Sequence, residues 1–169
     1  MTGTLLIALP LMLVLVVLQT AVWPYFPIFG LEPQLVVLTA VAWGMLRGPE
    51  EGAVWALTGG ILLDIFSIGP FGLNAVALVI ATIATAVVQH GLPTSRLLLP
   101  PVLGALGTAL FFGLQLGLVS LAGWSLSPGV VRLLPTLAVL QGVLIVPVYW
   151  ALYWLSQQLG NTAVVSEGF

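Results

Sequence analysis

The sequence predicts an all-α fold: a polytopic integral membrane protein of about six transmembrane helices in a compact bundle, with a short second/third helical hairpin. Composition is the first reason. Of 169 residues 60% are hydrophobic and only 5% charged, with a mean hydropathy of +1.22, whereas roughly a quarter of the residues in a soluble domain are charged. The second reason is distribution, because long, nearly uncharged stretches recur along the whole chain. The third is the brevity of what lies between them, which argues against a catalytic ectodomain. The chain has no cysteine, so disulfides, thiolate chemistry and cysteine metal sites are excluded. A net charge of −2 without a basic cluster argues against nucleic acid as a partner.

The whole chain, residues 1–169, reads as a single transmembrane domain. Its first segment runs from Leu5 to Trp23, with Trp23 and Tyr25 as interfacial aromatics. No basic residue precedes it and no small-residue cleavage site follows, so it reads as a retained helix rather than a signal peptide. Pro24, Pro27, Gly30 and Pro33 then break the chain into an extended loop carrying Glu32. The second segment spans Leu35 to Leu46 and ends at Arg47. Gly48-Pro49-Glu50-Glu51 is a tight reversal that also starts the next helix well. Proline fits the first helical position, and two acids suit the positive end of the helix dipole.

The third segment covers Gly52 to Phe66. Segments two and three are short, about 18–23 Å of helix against a hydrocarbon core of about 30 Å. They are expected to pack as a hairpin inside the bundle or as a re-entrant pair. The fourth segment runs from Leu73 to Gln89 and is followed by a polar link, His90 to Arg96. The fifth is Leu97 to Ala122, with Pro100-Pro101 near its first turn. A loop from Gly123 to Pro128 offers Ser127 as an N-cap. The sixth runs from Val130 to Leu155, where Pro135 and Pro147 are expected to bend it, and the tail from Ser156 to Phe169 is expected to fray. With the N-terminus in the cytoplasm, Arg47 and Arg96 fall inside and Arg132 outside, in accord with the positive-inside tendency.

Within this apolar chain the stretch from Gly52 to Asn74 is the most informative. It holds one acid, Asp64, and ends in the turn Pro70-Phe71-Gly72. A carboxylate at the centre of a membrane helix costs about 2.5–3.5 kcal/mol on insertion scales, so it needs a reason to be there. Two readings are open: a polar anchor for a partner, ligand or coupling ion, or a structural carboxylate hydrogen-bonded to Ser67 or nearby backbone. Thr58, Asn74, Gln89, Gln115 and Gln141 are further polar groups that can pair within a bundle. The pairs Gly59-Gly60 and Gly104/Gly107, and Gly113 with Gly117, place small residues where helix backbones can approach. Ordinary internal packing explains such faces, and a docking face is the alternative.

No catalytic constellation is present in the sequence. His90 stands alone beside Gly91, and a metal site needs several converging ligands. There is no phosphate-binding loop of the Gly-x-x-x-x-Gly-Lys type, no serine with a base nearby and no acid pair at catalytic spacing. The chain is therefore expected to be non-enzymatic, with no cofactor.

The central block, Trp23 to about Val88, resembles the MreD family of bacterial rod-shape-determining proteins. Four pieces in order carry the resemblance: the proline-rich link (Pro24, Pro27, Pro33), the reversal Leu46-Arg47-Gly48-Pro49, the run from Gly59-Gly60 through Asp64 to Ser67, and the turn Pro70-Phe71-Gly72-Leu73-Asn74. The family often has an acid just after the proline equivalent to Pro33, whereas Gln34 stands here. The resemblance implies a small component of the cell-elongation machinery in the bacterial cytoplasmic membrane, with both termini in the cytoplasm. Implied partners are MreC first, then MreB, RodA and penicillin-binding protein 2 in a larger complex, together with membrane lipid. It further implies a fold similar to the substrate-binding subunits of energy-coupling-factor vitamin transporters. Asp64, Ser67, Pro70, Phe71, Gly72, Asn74, Gly113 and Gly117 are the candidate partner-binding or structural residues.

Two functions follow. One is a non-enzymatic scaffold that binds MreC and supports lateral peptidoglycan synthesis and rod shape. The alternative is a vitamin-capturing transporter subunit, which would need a cavity with several convergent polar or aromatic groups.

Overall fold

The second helix of the chain is apolar on every face, and a helix of that kind belongs in the middle of a bundle. A computed structural model describes residues 2–22, 25, 32–67, 69–91, 99–121, 123 and 128–166, with side chains described for all of these except 2–6, 99, 128–132 and 159–166. Trp23, Pro24, Pro27, Gly30, Arg96, Ser125, Ser127, the Arg132 side chain and Phe169 lie outside the described set. The described residues form six α helices: α1 (Thr2–Val17), α2 (Leu35–Arg47), α3 (Pro49–Phe66), α4 (Leu73–Gly91), α5 (Leu99–Leu121) and α6 (Pro128–Ser166). A π-helical turn, Leu18–Val22, extends α1.

Every residue of α2 from Val36 to Met45 is buried. This helix packs against all five others, and around it α1, α3, α4, α5 and α6 follow in that order, each on the next. At 1.5 Å per residue its 13 residues extend about 20 Å, too short to cross a bilayer alone. Protein on every side removes the difficulty, because only lipid-exposed backbone must be satisfied within its own segment. Among the described residues, helices α4, α5 (Pro100–Leu121) and α6 (Leu133–Gln158) are the three long and apolar enough to cross a membrane. Their outer faces are apolar too, with Val76, Val87, Val102, Leu106, Val139 and Val143 exposed.

The reversal between α2 and α3 is built on Gly48. Its φ of +101° suits a residue without a Cβ, and its N–H donates to Gly44 O at 2.9 Å. Pro49 then occupies the first turn of α3, which starts three residues earlier than the apolar run alone indicates. The two acids Glu50 and Glu51 are good first-turn residues, so the polar reversal is helical. Trp43 and Trp55 stack across the hairpin with centroids 4.2 Å apart and planes 13° apart. Trp43 Nε1 donates to Glu51 Oε2 at 3.2 Å, and Arg47 Nη2 reaches Ser156 O of α6 at 3.1 Å.

Glycines set the distances between helices. A Cβ on Gly52 would stand 2.5 Å from Gly44 Cα, and one on Gly60 would fall on the Ala75 backbone. Its neighbour Gly59 faces the other way, towards Val36 and Met12. On α5, Gly104 meets Ile145 of α6, while Gly107 meets Thr85 and Val41. Gly113 and Gly117 differ, since a Cβ at either would meet nothing within 4 Å.

Three features depart from the expected segments. The first helix ends in a π turn, a shift in hydrogen bonding that hydropathy does not encode. Helix α4 continues through His90 to Gly91, so His90 lies in its last turn with Nδ1 2.8 Å from Ala86 O, rather than in the following link. The segment from Ser156 to Ser166 continues α6 instead of fraying from Leu155. It contains no proline, and its Gln157-Gln158-Leu159 run has good helix propensity, so each residue adds a bond to an existing helix.

Gly60→Ala should lower the thermal unfolding midpoint in detergent, because overpacking against fixed backbone costs about 1–3 kcal/mol. Gly113→Ala, at an open position, should be neutral or slightly stabilising. Equal midpoints for the two variants would contradict glycine-set packing of α3 on α4.

Candidate functional site

Asp64 lies on the last turn of α3 and is buried, at 4% exposure. The chain then turns through Pro70, Phe71 and Gly72, where Leu73 N approaches Pro70 O at 3.5 Å and Gly72 has a φ of +96°. Glycine at the third position is the requirement of a type II turn. The residue just before α4 is therefore one with no side chain to cap the helix. Asp64 supplies the cap from outside: Oδ1 accepts from Asn74 N at 3.0 Å and Oδ2 from Ala75 N at 3.1 Å. These are the second and third residues of α4, whose N–H groups an N-cap side chain normally serves. A negative group at this end also meets the positive pole of the helix dipole.

The remaining polar groups at this end extend the arrangement sideways. Asn74 is buried; its Oδ1 accepts from Gln115 Nε2 of α5 at 2.8 Å, and its Nδ2 donates to Ser67 Oγ at 3.4 Å. Ser67 Oγ in turn donates to the Asp64 main-chain oxygen at 3.4 Å, not to the carboxylate. On the far side, Gln19 sits on the π turn at 7% exposure. Its Nε2 donates to Gln34 Oε1 at 2.6 Å and its Oε1 accepts from Val36 N at 3.2 Å. Gln19 thus serves the first turn of α2 as Asp64 serves that of α4, since Gln34 makes no side-chain cap of its own.

Between these two groups lies a cleft of about 190 Å³ lined by Thr20, Gln34, Ser67, Asn74 and Gln115, with Phe66, Phe111, Phe112 and Leu63. It exists because α2 begins at Leu35, preceded by non-helical Glu32, Pro33 and Gln34, while α5 continues past it. Gln115 is six residues before the end of α5, a depth of about 9 Å at helical rise. Non-helical backbone at membrane depth is tolerated where it is buried in protein or lines a cavity, and Pro33 is buried.

A sequence profile of the family described as rod shape-determining protein MreD matches residues 1–159. The chain belongs to the MreD family. It is thus a rod-shape-determining membrane protein, of a family that is structural rather than enzymatic. No curated protein and no solved structure matches it at a significant level.

In this MreD-family protein the residues singled out from sequence fall into three groups. Asp64, Ser67 and Asn74 come together in one hydrogen-bonded network. Pro70 and Gly72 form the turn that feeds α4, and Phe71 projects from it at 71% exposure. Gly113 and Gly117 lie on the exposed face of α5, open to whatever surrounds the bundle. Of the other polar residues, Thr58 donates to Val54 O in its own helix, whereas the Gln141 amide, fully buried, has no partner among the described residues. Sequence reasoning missed Gln19 and Thr20 altogether and noted Gln34 only for lacking a charge. The available signal was the polar pair Gln19-Thr20 in an otherwise apolar run. Among the described residues no three His, Asp or Glu converge as metal ligands.

Asp64→Asn keeps one acceptor oxygen for two N–H groups, while Asp64→Leu keeps none. At about 1–3 kcal/mol per stranded buried donor, Leu should cost roughly twice what Asn does. Thermal unfolding of purified protein in detergent checks this, and identical losses for both would show that the two bonds to α4 do not matter.

Proposed function

We propose that this protein is a non-enzymatic scaffold of the bacterial cell-elongation complex, holding an MreC-type single-span partner in the cytoplasmic membrane and so supporting lateral peptidoglycan synthesis. One observation carries the reading beyond family membership. Glycines 59, 60, 104, 107 and 142 are each filled by a neighbouring helix, whereas Gly113 and Gly117 meet nothing. Helices in lipid associate largely through van der Waals packing at small-residue faces, so the open stretch of α5 suits a partner helix. MreB, RodA and penicillin-binding protein 2 would join through a larger assembly. The alternative, a vitamin-binding subunit, is less well supported, because pockets for such ligands are about 300–1,000 Å³ and the cleft holds about 190 Å³.

The test is co-purification with an MreC-type partner after detergent extraction, at low and at high salt. Recovery should be similar in both, since packed apolar faces lack the exposed ion pairs that salt screens over about 8–10 Å. Gly113→Leu or Gly117→Leu should reduce it. No recovery at either salt, alongside measurable binding of thiamine, biotin or riboflavin, would move the assignment to the transporter reading.

The same reading places the N-terminus, Glu50-Glu51 and His90 in the cytoplasm, with Glu32 and Ser125 outside. The C-terminus, after α6, would return to the cytoplasm. Single cysteines at positions 50, 90 and 32 should therefore label from opposite sides. Labelling of position 50 from outside would reverse the orientation.

A further inference from the structure

Most polar atoms in the cleft are already committed. Gln34 Oε1 accepts from Gln19, and Gln115 Nε2 donates to Asn74. That leaves Gln34 Nε2 as a donor and Gln115 Oε1 as an acceptor, neither with a partner among the described residues. Both residues line the same cavity, Gln34 from the start of α2 and Gln115 from α5. Two helix N-termini also point to this region, which would ordinarily favour an anion. Here their positive ends are already served: Asp64 takes Asn74 N and Ala75 N of α4, and Gln19 takes Val36 N of α2. Among the described residues no cationic side chain lines the cavity. What remains among the described residues is an uncharged lining whose wholly unpartnered atoms are the Gln34 amide nitrogen and the Gln115 amide oxygen, walled by Phe66, Phe111 and Phe112.

We propose that this cleft receives an uncharged amide of a partner polypeptide, either a main-chain peptide group or an Asn or Gln side chain. An amide offers a C=O to Gln34 Nε2 and an N–H to Gln115 Oε1, and the phenyl rings accept the apolar atoms beside it. The volume of about 190 Å³ suits one residue or a little more. A single-span partner has such groups to place, because the first N–H and last C=O groups of its own helix have no internal partners. Satisfying them here contributes to specificity, since a partner without such groups would leave the two glutamine atoms unpaired. This inference rests on the scaffold reading above and adds a second, polar contact on the side of α5 opposite Gly113 and Gly117.

The experiment uses the full chain in lipid nanodiscs with the single-span partner of the proposed complex. Photoreactive benzoyl-phenylalanine is placed at Phe112, in the cleft, or at Val139, exposed on α6. Affinity is measured in parallel for wild type and for the Gln34→Leu/Gln115→Leu double variant. Partner adducts from position 112 but not 139, with at least tenfold weaker binding by a double variant that elutes and melts as wild type does, are the expected results. If the double variant does not fold, the adduct pattern decides. Wild-type protein that retains no partner would remove the scaffold reading and this site with it. A partner that binds wild type and folded double variant equally, or cross-links only from position 139, would leave the scaffold standing and reject the cleft. Adducts from position 112 to lipid or glycan instead of protein would likewise overturn the proposal.

Discussion

The whole arrangement depends on keeping lipid away from α2. A helix of 13 residues leaves about 10 Å of a 30 Å hydrocarbon core uncovered, so it is stable at membrane depth only if protein surrounds its sides. Gly44 and Gly52 at one crossing, Gly59 and Gly60 on opposite faces of α3, and Gly107 on α5 bring backbones within reach. Glycine in a helix costs about 1 kcal/mol against alanine. Close packing must offset that at each of these positions, and it does so only where a neighbour is present.

The same shortness explains why the polar residues collect at one end. Where α2 begins and its neighbours continue, the first N–H groups of α2 and α4 have no partners within their own helices. Asp64 and Gln19 meet that need from neighbouring helices, and Asn74 and Gln115 connect α4 to α5 beside them. The acid in the apolar run thus has a structural use without excluding a role for the surrounding cleft. Its carboxylate is spent on the backbone, which leaves the neutral amides as the groups still able to bind something.

Fold class was legible because it rests on composition and on runs of apolar residues, both of which survive any uncertainty about partners. The unusual position of Asp64 was legible for the same reason: one acid in an apolar stretch is conspicuous. What it holds was not, since Asn74 and Ala75 lie ten and eleven residues away and contribute main-chain N–H groups that any residue would offer. The polar pair Gln19-Thr20 stands out in its apolar run, but the inward direction of Gln19 was not legible, because the π turn that sets it is a property of backbone bonding. Glycine spacing was read correctly as close approach but could not be sorted by face. Gly104 and Gly113 look alike in sequence, yet one is pressed against Ile145 and the other stands open.

The borrowed cap on α4 bears on how the protein is made. Because Gly72 provides no side chain, the first turn of α4 depends on a carboxylate from the preceding helix. Asp64 leaves the ribosome before Leu73 does, so the acceptor is present by the time α4 emerges. If α3 entered the bilayer alone, its acid would have no N–H groups to meet, and α4 alone would carry two bare donors. Insertion of the pair together, as one helical hairpin, avoids both penalties. Pro49 to Gly91 would then enter as a single unit, reversing at the Pro70–Gly72 turn.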